Sequence, residues 1–332
     1  MKNPERQDAD AHTAELASIL NLRQALDAQI LGQQALITRL LIALLTGGHL
    51  LVEGAPGLAK TRAINVLASL LEGEFQRIQF TPDLLPADLT GTEIYRPQEG
   101  SFVFQPGPLF HNLILADEIN RAPAKVQSAL LEAMSELQIT VGQKTYALPD
   151  IFLVMATQNP IEQEGTYPLP EAQLDRFQMH VRVEYPHPAT EREILRLVRG
   201  EALSDTVLER PEPISFDLLR SAREQVMRMY MADPVEDYLV RLITATRNPA
   251  ALDADLERWV EFGASPRATI ALDACSRAHA WLEQRNYVSP ADIQAIAHDV
   301  LRHRLLLSYA AEADGVTPHD VITRLLDLVP VP

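Results

Sequence analysis

A glycine-rich segment between an apolar run and a helical segment has the residue types that bind phosphate. It reads Gly54-Ala55-Pro56-Gly57-Leu58-Ala59-Lys60-Thr61. The backbone N–H groups of such a loop bind phosphate oxygens, together with the N-terminus of the helix that follows. We expect the Lys60 ammonium to hold the β- and γ-phosphates of a nucleotide, and the Thr61 hydroxyl to bind Mg²⁺. The segment therefore predicts a P-loop.

One position departs from the usual P-loop pattern, in which a glycine precedes the lysine. This sequence has Ala59 at that position. Because the residue lies at the start of a helix, we expect it to be α-helical, a conformation that alanine adopts without strain. The substitution is therefore predicted to leave the loop competent for phosphate.

Two carboxylates follow the apolar run at 113–116, and they are Asp117 and Glu118. In isolation, two acids at the end of a strand are most simply read as solvated groups. After a P-loop, however, we expect Asp117 to order Mg²⁺, usually through water. Glu118 can then orient the attacking water and accept its proton. The pair therefore predicts that the nucleotide is hydrolysed as well as bound.

Short apolar runs predict the strands that position these groups. They are nearly continuous in apolar residues, as strands buried on both faces of a parallel sheet are. The runs lie at 49–52, 77–80, 113–116, 151–155 and 179–183, and helical segments at 60–71, 122–137 and 171–175 separate several of them. This alternation predicts an α/β core with a parallel sheet.

Two segments interrupt the alternation, and each predicts a β-hairpin. The first joins residues 93–95 to residues 101–104, and the second covers residues 138–148 with a turn near Gly142. Turn residues between short runs of β-forming residues are typical of hairpins. Small hairpins inserted into a parallel α/β fold suggest contacts beyond the nucleotide itself.

The remaining segments are helical. Apolar residues recur at helical spacing over residues 12–29 and 33–45, and no strand is predicted after Ile214. We therefore predict four regions: an N-terminal helical extension (1–29), an αβα nucleotide-binding core with two hairpin inserts (30–190), a linker (191–213) and an all-helical domain (214–332).

Composition limits the classes of partner and site. The chain has 332 residues and a net charge of −16, so it should bind DNA and anionic membranes poorly. Its single cysteine, Cys275, excludes an internal disulfide and a Cys-based zinc site. The polar N-terminal segment has no signal-peptide pattern, and Arg39 interrupts the most apolar stretch. We expect a cytoplasmic protein without membrane insertion. We also expect His303 and Arg304 to lie at the surface.

Longer motifs around the P-loop and the carboxylates resemble the MoxR family of AAA+ ATPases. They are the Ala-Lys-Thr form of the P-loop and the segments at 80–86, 106–110, 117–123 and 165–172, within a resemblance that covers roughly residues 30–310. The resemblance implies an AAA+ αβα P-loop core followed by an all-helical lid domain. It also implies ATP and Mg²⁺ as cofactors, and ATP hydrolysis as the activity.

The resemblance implies roles for further residues. Asn159 matches the first sensor, which touches the γ-phosphate and the attacking water, although an ordinary Asn-Pro turn has the same sequence. Arg176 matches the arginine finger that reaches a neighbouring subunit's ATP; the alternative is a surface arginine at a helix end. Arg267 matches the second sensor on the lid, or else is a solvated basic residue. Leu31 and Gly32 match the segment that contacts adenine.

The resemblance also implies partners. It implies a ring, expected to be a hexamer, and chaperone-like remodelling of proteins with a von Willebrand factor A domain. Both hairpins would project towards the ring centre, where Phe102 and Phe104 either contact a substrate or pack on the sheet. Arg121 belongs to the family motif, but its chemistry predicts no role.

Three alternatives remain. A DNA-acting AAA+ motor would have a similar site, but the acidic charge makes a nucleic-acid partner unfavourable. A metal-chelatase motor subunit resembles the same AAA+ clade. A non-catalytic nucleotide-sensing scaffold would not need Glu118, Asn159 and Arg176 together.

Overall fold

The structure is a computed structural model that describes residues 4–160, 165–203 and 212–332. A five-stranded sheet lies at its centre. Its strands are β1 (Leu50–Gly54), β2 (Phe75–Gln79), β5 (Leu113–Asp117), β8 (Leu153–Gln158) and β9 (Met179–Val183). Their order in the sheet is β2-β5-β8-β1-β9. Every neighbouring pair is parallel. The predicted parallel α/β core is therefore confirmed, and each predicted strand overlaps an observed one.

Helices cover both faces of this sheet. Successive side chains of β1 enter different apolar clusters, Leu50 and Val52 on one face and Leu51 on the other. The helices of this region are α1 (Pro4–Gln29), α2 (Gln34–Thr46), α3 (Lys60–Ser69), α4 (Pro86–Thr90), α5 (Ala124–Glu136), α6 (Glu171–Leu174) and α7 (Pro188–Leu203). The first cluster includes α1, α2 and α3, and the second includes α4 and α5. Burial on both faces explains why the strand sequences are almost continuously apolar.

Both predicted hairpins are present. Strand β3 (Gly91–Arg96) pairs with β4 (Ser101–Pro106), and β6 (Gln138–Val141) pairs with β7 (Lys144–Ala147), each antiparallel. Phe104 stacks on Tyr146 with ring centroids 4.0 Å apart, so it joins the two hairpins. Phe102 is 66% exposed and contacts Tyr95 instead. The two phenylalanines therefore differ, since Phe104 packs while Phe102 faces solvent.

The C-terminal region was predicted to be all-helical, and it is built mainly of helices. They are α8 (Phe216–Met227), α9 (Asp233–Arg247), α10 (Ala254–Trp259), α11 (Pro266–Leu282), α12 (Pro290–Leu301), α13 (Tyr309–Asp314) and α14 (Pro318–Leu328). Two short ladders that the sequence did not predict join its loops. They pair β10 (Tyr230–Met231) with β12 (Tyr287–Val288), and β11 (Val260–Phe262) with β13 (Leu306–Leu307). Strands of two or three residues are too short to produce a visible alternation.

Two predicted segment boundaries can be compared with the observed helices. Helix α1 begins at Pro4, before the predicted start at residue 12. Helix α7 occupies the first part of the predicted linker at 191–213, and residues 204–211 of that linker lie outside the described residues. Where one domain ends and the next begins stays a prediction.

Candidate nucleotide-binding site

A cavity of about 340 Å³ at one edge of the sheet collects most of the predicted site residues. It is lined by loop residues 56–61, by Asp117 and Glu118 after β5, by Thr157 and Asn159 from the end of β8, and by Arg62. In a parallel sheet the carboxyl ends of all strands open at the same edge. The strand order β5-β8-β1 therefore brings the two carboxylates beside the loop. Gly54 and the buried Ala55 lead into the loop from β1.

The loop contains two residues with positive φ. Gly57 has φ +83°, and no heavy atom would contact a Cβ placed there. Ala59 has φ 59° and ψ 15°, so the prediction that it would be α-helical was wrong. Its carbonyl accepts a hydrogen bond from Ala63 N–H at 2.9 Å, so the chain turns from loop into α3 at this residue. The left-handed conformation costs an L-residue roughly 1–2 kcal/mol, which explains why glycine is usual there.

Lys60 connects the ends of two strands. Its Nζ donates to the carbonyl of Gly54 at the end of β1 and, at 3.3 Å, to the carbonyl of Gln158 at the end of β8. Burial lowers the pKa of Lys60, and the carboxylates of Asp117 and Glu118 oppose this shift. The ammonium is thus held at the mouth of the loop, where phosphate oxygens could replace the carbonyls as its acceptors.

Asp117 is held by two donors. Thr157 Oγ1 donates to its Oδ1 at 2.6 Å, and Arg77 Nη2 donates to its Oδ2 at 2.6 Å. Thr61 lines the same cavity. Hydroxyl and carboxylate oxygens are the ligands that Mg²⁺ prefers. The chemistry of this pair therefore suits a magnesium ion bound with the phosphates.

Glu118 lies in a left-handed conformation, with φ 58° and ψ 51°. Non-glycine residues in this region are uncommon and cluster at functional sites. Its Oε2 accepts from Gln79 Nε2 at 2.9 Å, and the guanidinium Nε of Arg121 lies 3.1 Å from the same oxygen. Because both donors contact Oε2, Oε1 could accept from a water. Arg121, to which the sequence assigned no role, orients Glu118.

Two predicted catalytic arginines lie outside this cavity. Arg176 Nη1 donates to the carbonyl of Leu131 at 3.1 Å and also to Ser135 Oγ, both in α5. Arg267 is exposed, and its Nη1 lies 3.9 Å from Asp175 Oδ2. Neither arginine lines the P-loop cavity. The structure therefore gathers Lys60, Thr61, Asp117, Glu118 and Asn159, and leaves Arg176 and Arg267 elsewhere on the chain.

A second cavity of about 230 Å³ shares Gly57, Leu58, Ala59 and Arg62 with the first. Its other walls are mainly apolar, formed by Ile30, Leu31, Pro186, Ile194, Leu197 and Val198 among others. Leu31 thus lies where an adenine base could bind. Gly32 does not line the cavity; it has φ +80°, and a Cβ there would lie 2.8 Å from Thr190 Cγ2.

Sequence reasoning missed several of these contacts. Arg77 and Gln79 of β2 donate to the carboxylates of Asp117 and Glu118, respectively. The only signal was their alternation with apolar residues in the run at 77–80. Arg62 lines both cavities, and its Nε donates to the carbonyl of Gln29 at 2.9 Å.

The described part of the chain gives little support for a membrane span, a metal centre or a reactive cysteine. Among residues 4–160, 165–203 and 212–332, no helix is long and apolar enough to cross a membrane. The same residues hold no cluster of three or more His, Cys, Asp or Glu suited to a metal ion. Burial raises the pKa of the Cys275 thiol to about 12, which makes it unreactive.

Known proteins share this architecture. Residues 49–179 match the family described as "ATPase family associated with various cellular activities (AAA)", and residues 253–325 match the AAA lid domain. The chain is 47% identical over 326 residues to Chaperone MoxR1 of Mycobacterium tuberculosis, which covers 98% of this chain and 84% of that protein. It is 42% identical over 305 residues to the protein YeaC of Bacillus subtilis, with 91% of each covered.

A solved structure agrees with these relatives. The crystal structure of a candidate ATPase from Cytophaga hutchinsonii matches with a TM-score of 0.91 and 42% identity, over 98% of both chains. The match includes both the core and the helical domain. Since the identity to MoxR1 extends over nearly the whole chain, this protein belongs to the MoxR family of AAA+ ATPases.

Proposed function

We propose that this protein binds ATP with Mg²⁺ and hydrolyses it as a MoxR-type AAA+ motor. The observation that carries the proposal is the single cavity lined by Lys60, Thr61, Asp117, Glu118 and Asn159. Family membership supports an ATPase activity in general. The positions of the side chains support this particular site for it.

In this proposal, Glu118 is the general base. Its Oε2 is held by Gln79 and Arg121, and Oε1 takes the proton as the water attacks the γ-phosphorus, the bond from that phosphorus to the bridging oxygen breaks, and ADP leaves. Lys60 and the loop N–H groups bind the phosphates, and Asn159 contacts the γ-phosphate. Mg²⁺, held by Thr61 and through water by Asp117, would neutralise charge on the phosphates.

We further propose that a neighbouring subunit completes the site. Arg176 lies outside the chain's own cavity, so it would serve the ATP of an adjacent subunit in a ring, expected to be a hexamer, and Arg267 would act as the second sensor on the lid. Ile270, one turn after Arg267 on α11, is 71% exposed and offers an apolar contact on the same face. An arginine finger accelerates related reactions by about 10³–10⁵.

The output of the motor is proposed to be remodelling of a client protein, in particular one with a von Willebrand factor A domain. One relative is named a chaperone, and the first hairpin presents Phe102 and Tyr95 to solvent. ATP use and a lone cysteine fit a cytoplasmic location. A Glu118→Gln protein, which would hold ATP without turnover, is the bait for such a client. Adding Phe102→Ser to that bait should reduce client retention, and equal retention would exclude the hairpin as the contact.

Nucleotide affinity tests the assignment of the loop. Lys60→Ala should abolish ATP binding because the site loses its phosphate-binding ammonium, while Lys125→Ala, at an exposed position on α5, should bind as the wild type does. Unchanged affinity in Lys60→Ala would sink the proposal. Sedimentation with and without ATP and Mg²⁺ tests the ring, since a fully active monomer has no use for a finger supplied by another subunit.

A further inference from the structure

The lid domain contacts the residue that directly precedes the proposed arginine finger. Arg304, which follows α12, donates from Nε to Asp175 Oδ1 at 2.7 Å. Ser265, the N-cap of α11, donates from Oγ to Asp175 Oδ2 at 3.0 Å. Arg267 lies 3.9 Å from the same oxygen. The carboxylate of Asp175 therefore links the segment that carries Arg176 to the start of α11 and to the residues that follow α12.

Arg304 also bonds the backbone on both sides of the finger. Its Nη2 donates to the carbonyl of Phe177 at 2.7 Å and to that of Asp175 at 3.3 Å, and Nη1 donates to the carbonyl of Gln178 at 3.0 Å. The Arg304 side chain is only 3% exposed. Burial lowers the pKa of Arg304, and the Asp175 carboxylate opposes that shift. A planar guanidinium is well suited to such a fork of acceptors, and a lysine is not.

Docking of the lid does not depend on these contacts alone. Arg39 of α2 donates to Asp299 Oδ2 of α12 at 2.7 Å, and Arg302 donates to the carbonyl of His180 at 2.8 Å. The Arg39 and Asp299 side chains are 14% and 13% exposed, so this ion pair resembles the one at Asp175 in burial. The difference is its partners, because Arg39 and Asp299 bond each other, Ala295 and Arg302, while Arg304 bonds the chain at residues 175–178.

We propose that Asp175 is a positioning residue, which couples the orientation of the lid to the reach of Arg176 into the ATP site of the neighbouring subunit. The inference rests on the proposed trans finger. A groove of about 320 Å³, lined by Asp175, Phe262, Ser265 and Arg304 among others, runs along this contact. Movement of the lid against the core would therefore act on both backbone carbonyls that flank Arg176. In such a ring, loss of the Asp175 carboxylate lowers hydrolysis in the ATP site of the neighbouring subunit. The nucleotide site of the same subunit is unaffected.

Kinetics and nucleotide binding give the first test. Asp175→Asn should bind ATP with wild-type affinity and show little change in KM, while kcat falls by about 10²-fold, as for a small misplacement of a catalytic group. Arg304→Lys keeps the buried positive charge but loses the planar guanidinium that donates to Asp175, Phe177 and Gln178, so it should lower kcat in the same way. Asp299→Asn, which breaks the Arg39–Asp299 pair and leaves the bonds to residues 175–178 in place, should keep kcat within about twofold. An equal loss in Asp299→Asn, or a loss of ATP affinity in Asp175→Asn, would mean a general structural role.

Mixed rings give the decisive test. An Asp175→Asn subunit keeps a sound P-loop, and a Lys60→Ala neighbour can present a well-placed Arg176 to it. Random assembly at equal mixing creates such an interface on about a quarter of occasions, so ATPase activity should return once fluorescence transfer confirms subunit exchange. Arg176→Ala mixed with Lys60→Ala is run in parallel. If that control recovers and Asp175→Asn does not, the positioning role is wrong; if neither recovers, the trans finger and this inference fall together.

Discussion

Thr157 Oγ1 donates a hydrogen bond of 2.6 Å to Asp117 Oδ1, and so connects the ends of two neighbouring strands at the candidate site. The same hydroxyl oxygen accepts from the backbone N–H of Glu118 at 3.0 Å. One buried side chain of β8 thus fixes both the proposed magnesium ligand and the backbone of the proposed base. This is why the left-handed conformation of Glu118 can be maintained.

Removing that hydroxyl should disturb both carboxylates. In Thr157→Val the side chain keeps its shape, but Asp117 loses a donor and the Glu118 N–H loses its acceptor. We expect kcat to fall at least about tenfold, and the free energy of unfolding to fall by about 1–3 kcal/mol. Phosphate-release assays and urea titration measure the two effects. Thr157→Ser retains the hydroxyl and should stay close to the wild type; similar losses in both variants would refute the role of the hydroxyl.

Releasing Glu118 from its second anchor should affect turnover more than binding. Arg121→Ala leaves Gln79 as the donor to Oε2, so the carboxylate gains rotational freedom. We expect kcat to fall about tenfold or more, with ATP affinity within about twofold of the wild type. Isothermal titration and steady-state kinetics check the two values. A fall in affinity equal to the fall in kcat would instead assign Arg121 to nucleotide binding.

The left-handed Ala59 makes an unusual stability prediction. Ala59→Gly removes strain of roughly 1–2 kcal/mol in the folded loop, while the freer unfolded chain offsets about 0.5–1 kcal/mol of that gain. We therefore expect the free energy of unfolding to stay unchanged or to rise by up to about 1.5 kcal/mol. Chemical denaturation measures it, and a clear destabilisation by glycine would contradict the left-handed assignment.

His49 predicts a loss of stability in mild acid. Burial lowers its pKa from 6.5 to about 4, and its Nδ1 accepts from Val154 N–H at 3.1 Å, a bond that protonation of Nδ1 would break. Since the folded pKa lies below the unfolded one, the contribution is present above pH 6.5 and is lost as the pH falls towards 4. The lost free energy is on the order of 3 kcal/mol at most. His49→Gln should flatten unfolding free energy against pH in this interval, and an unchanged slope would assign it to other groups.

The sequence predicted those parts of the site that lie within one continuous segment. The P-loop and the Asp117-Glu118 pair each lie within one short segment, and each follows a buried strand, so a parallel sheet places both at the same edge. Gln79 reaches Glu118 only because β2 and β5 are neighbours in the sheet, which periodicity does not specify. His303 and Arg304 were expected at the surface, yet His303 is 7% exposed and Arg304 is almost fully buried against Asp175. An arginine is predicted to be solvated when the sequence does not show the distant carboxylate with which it pairs.

The central claim is that ATP is hydrolysed in the cavity between β1 and β5 with Glu118 as the base. Steady-state phosphate release by Glu118→Gln, at saturating ATP and Mg²⁺, tests it most directly. Glu132→Gln, at an exposed position on α5, is the matched control. We expect turnover to fall by at least about 10²-fold in Glu118→Gln and to stay at the wild-type rate in the control. Wild-type turnover in Glu118→Gln would contradict the claim and place the base on another residue.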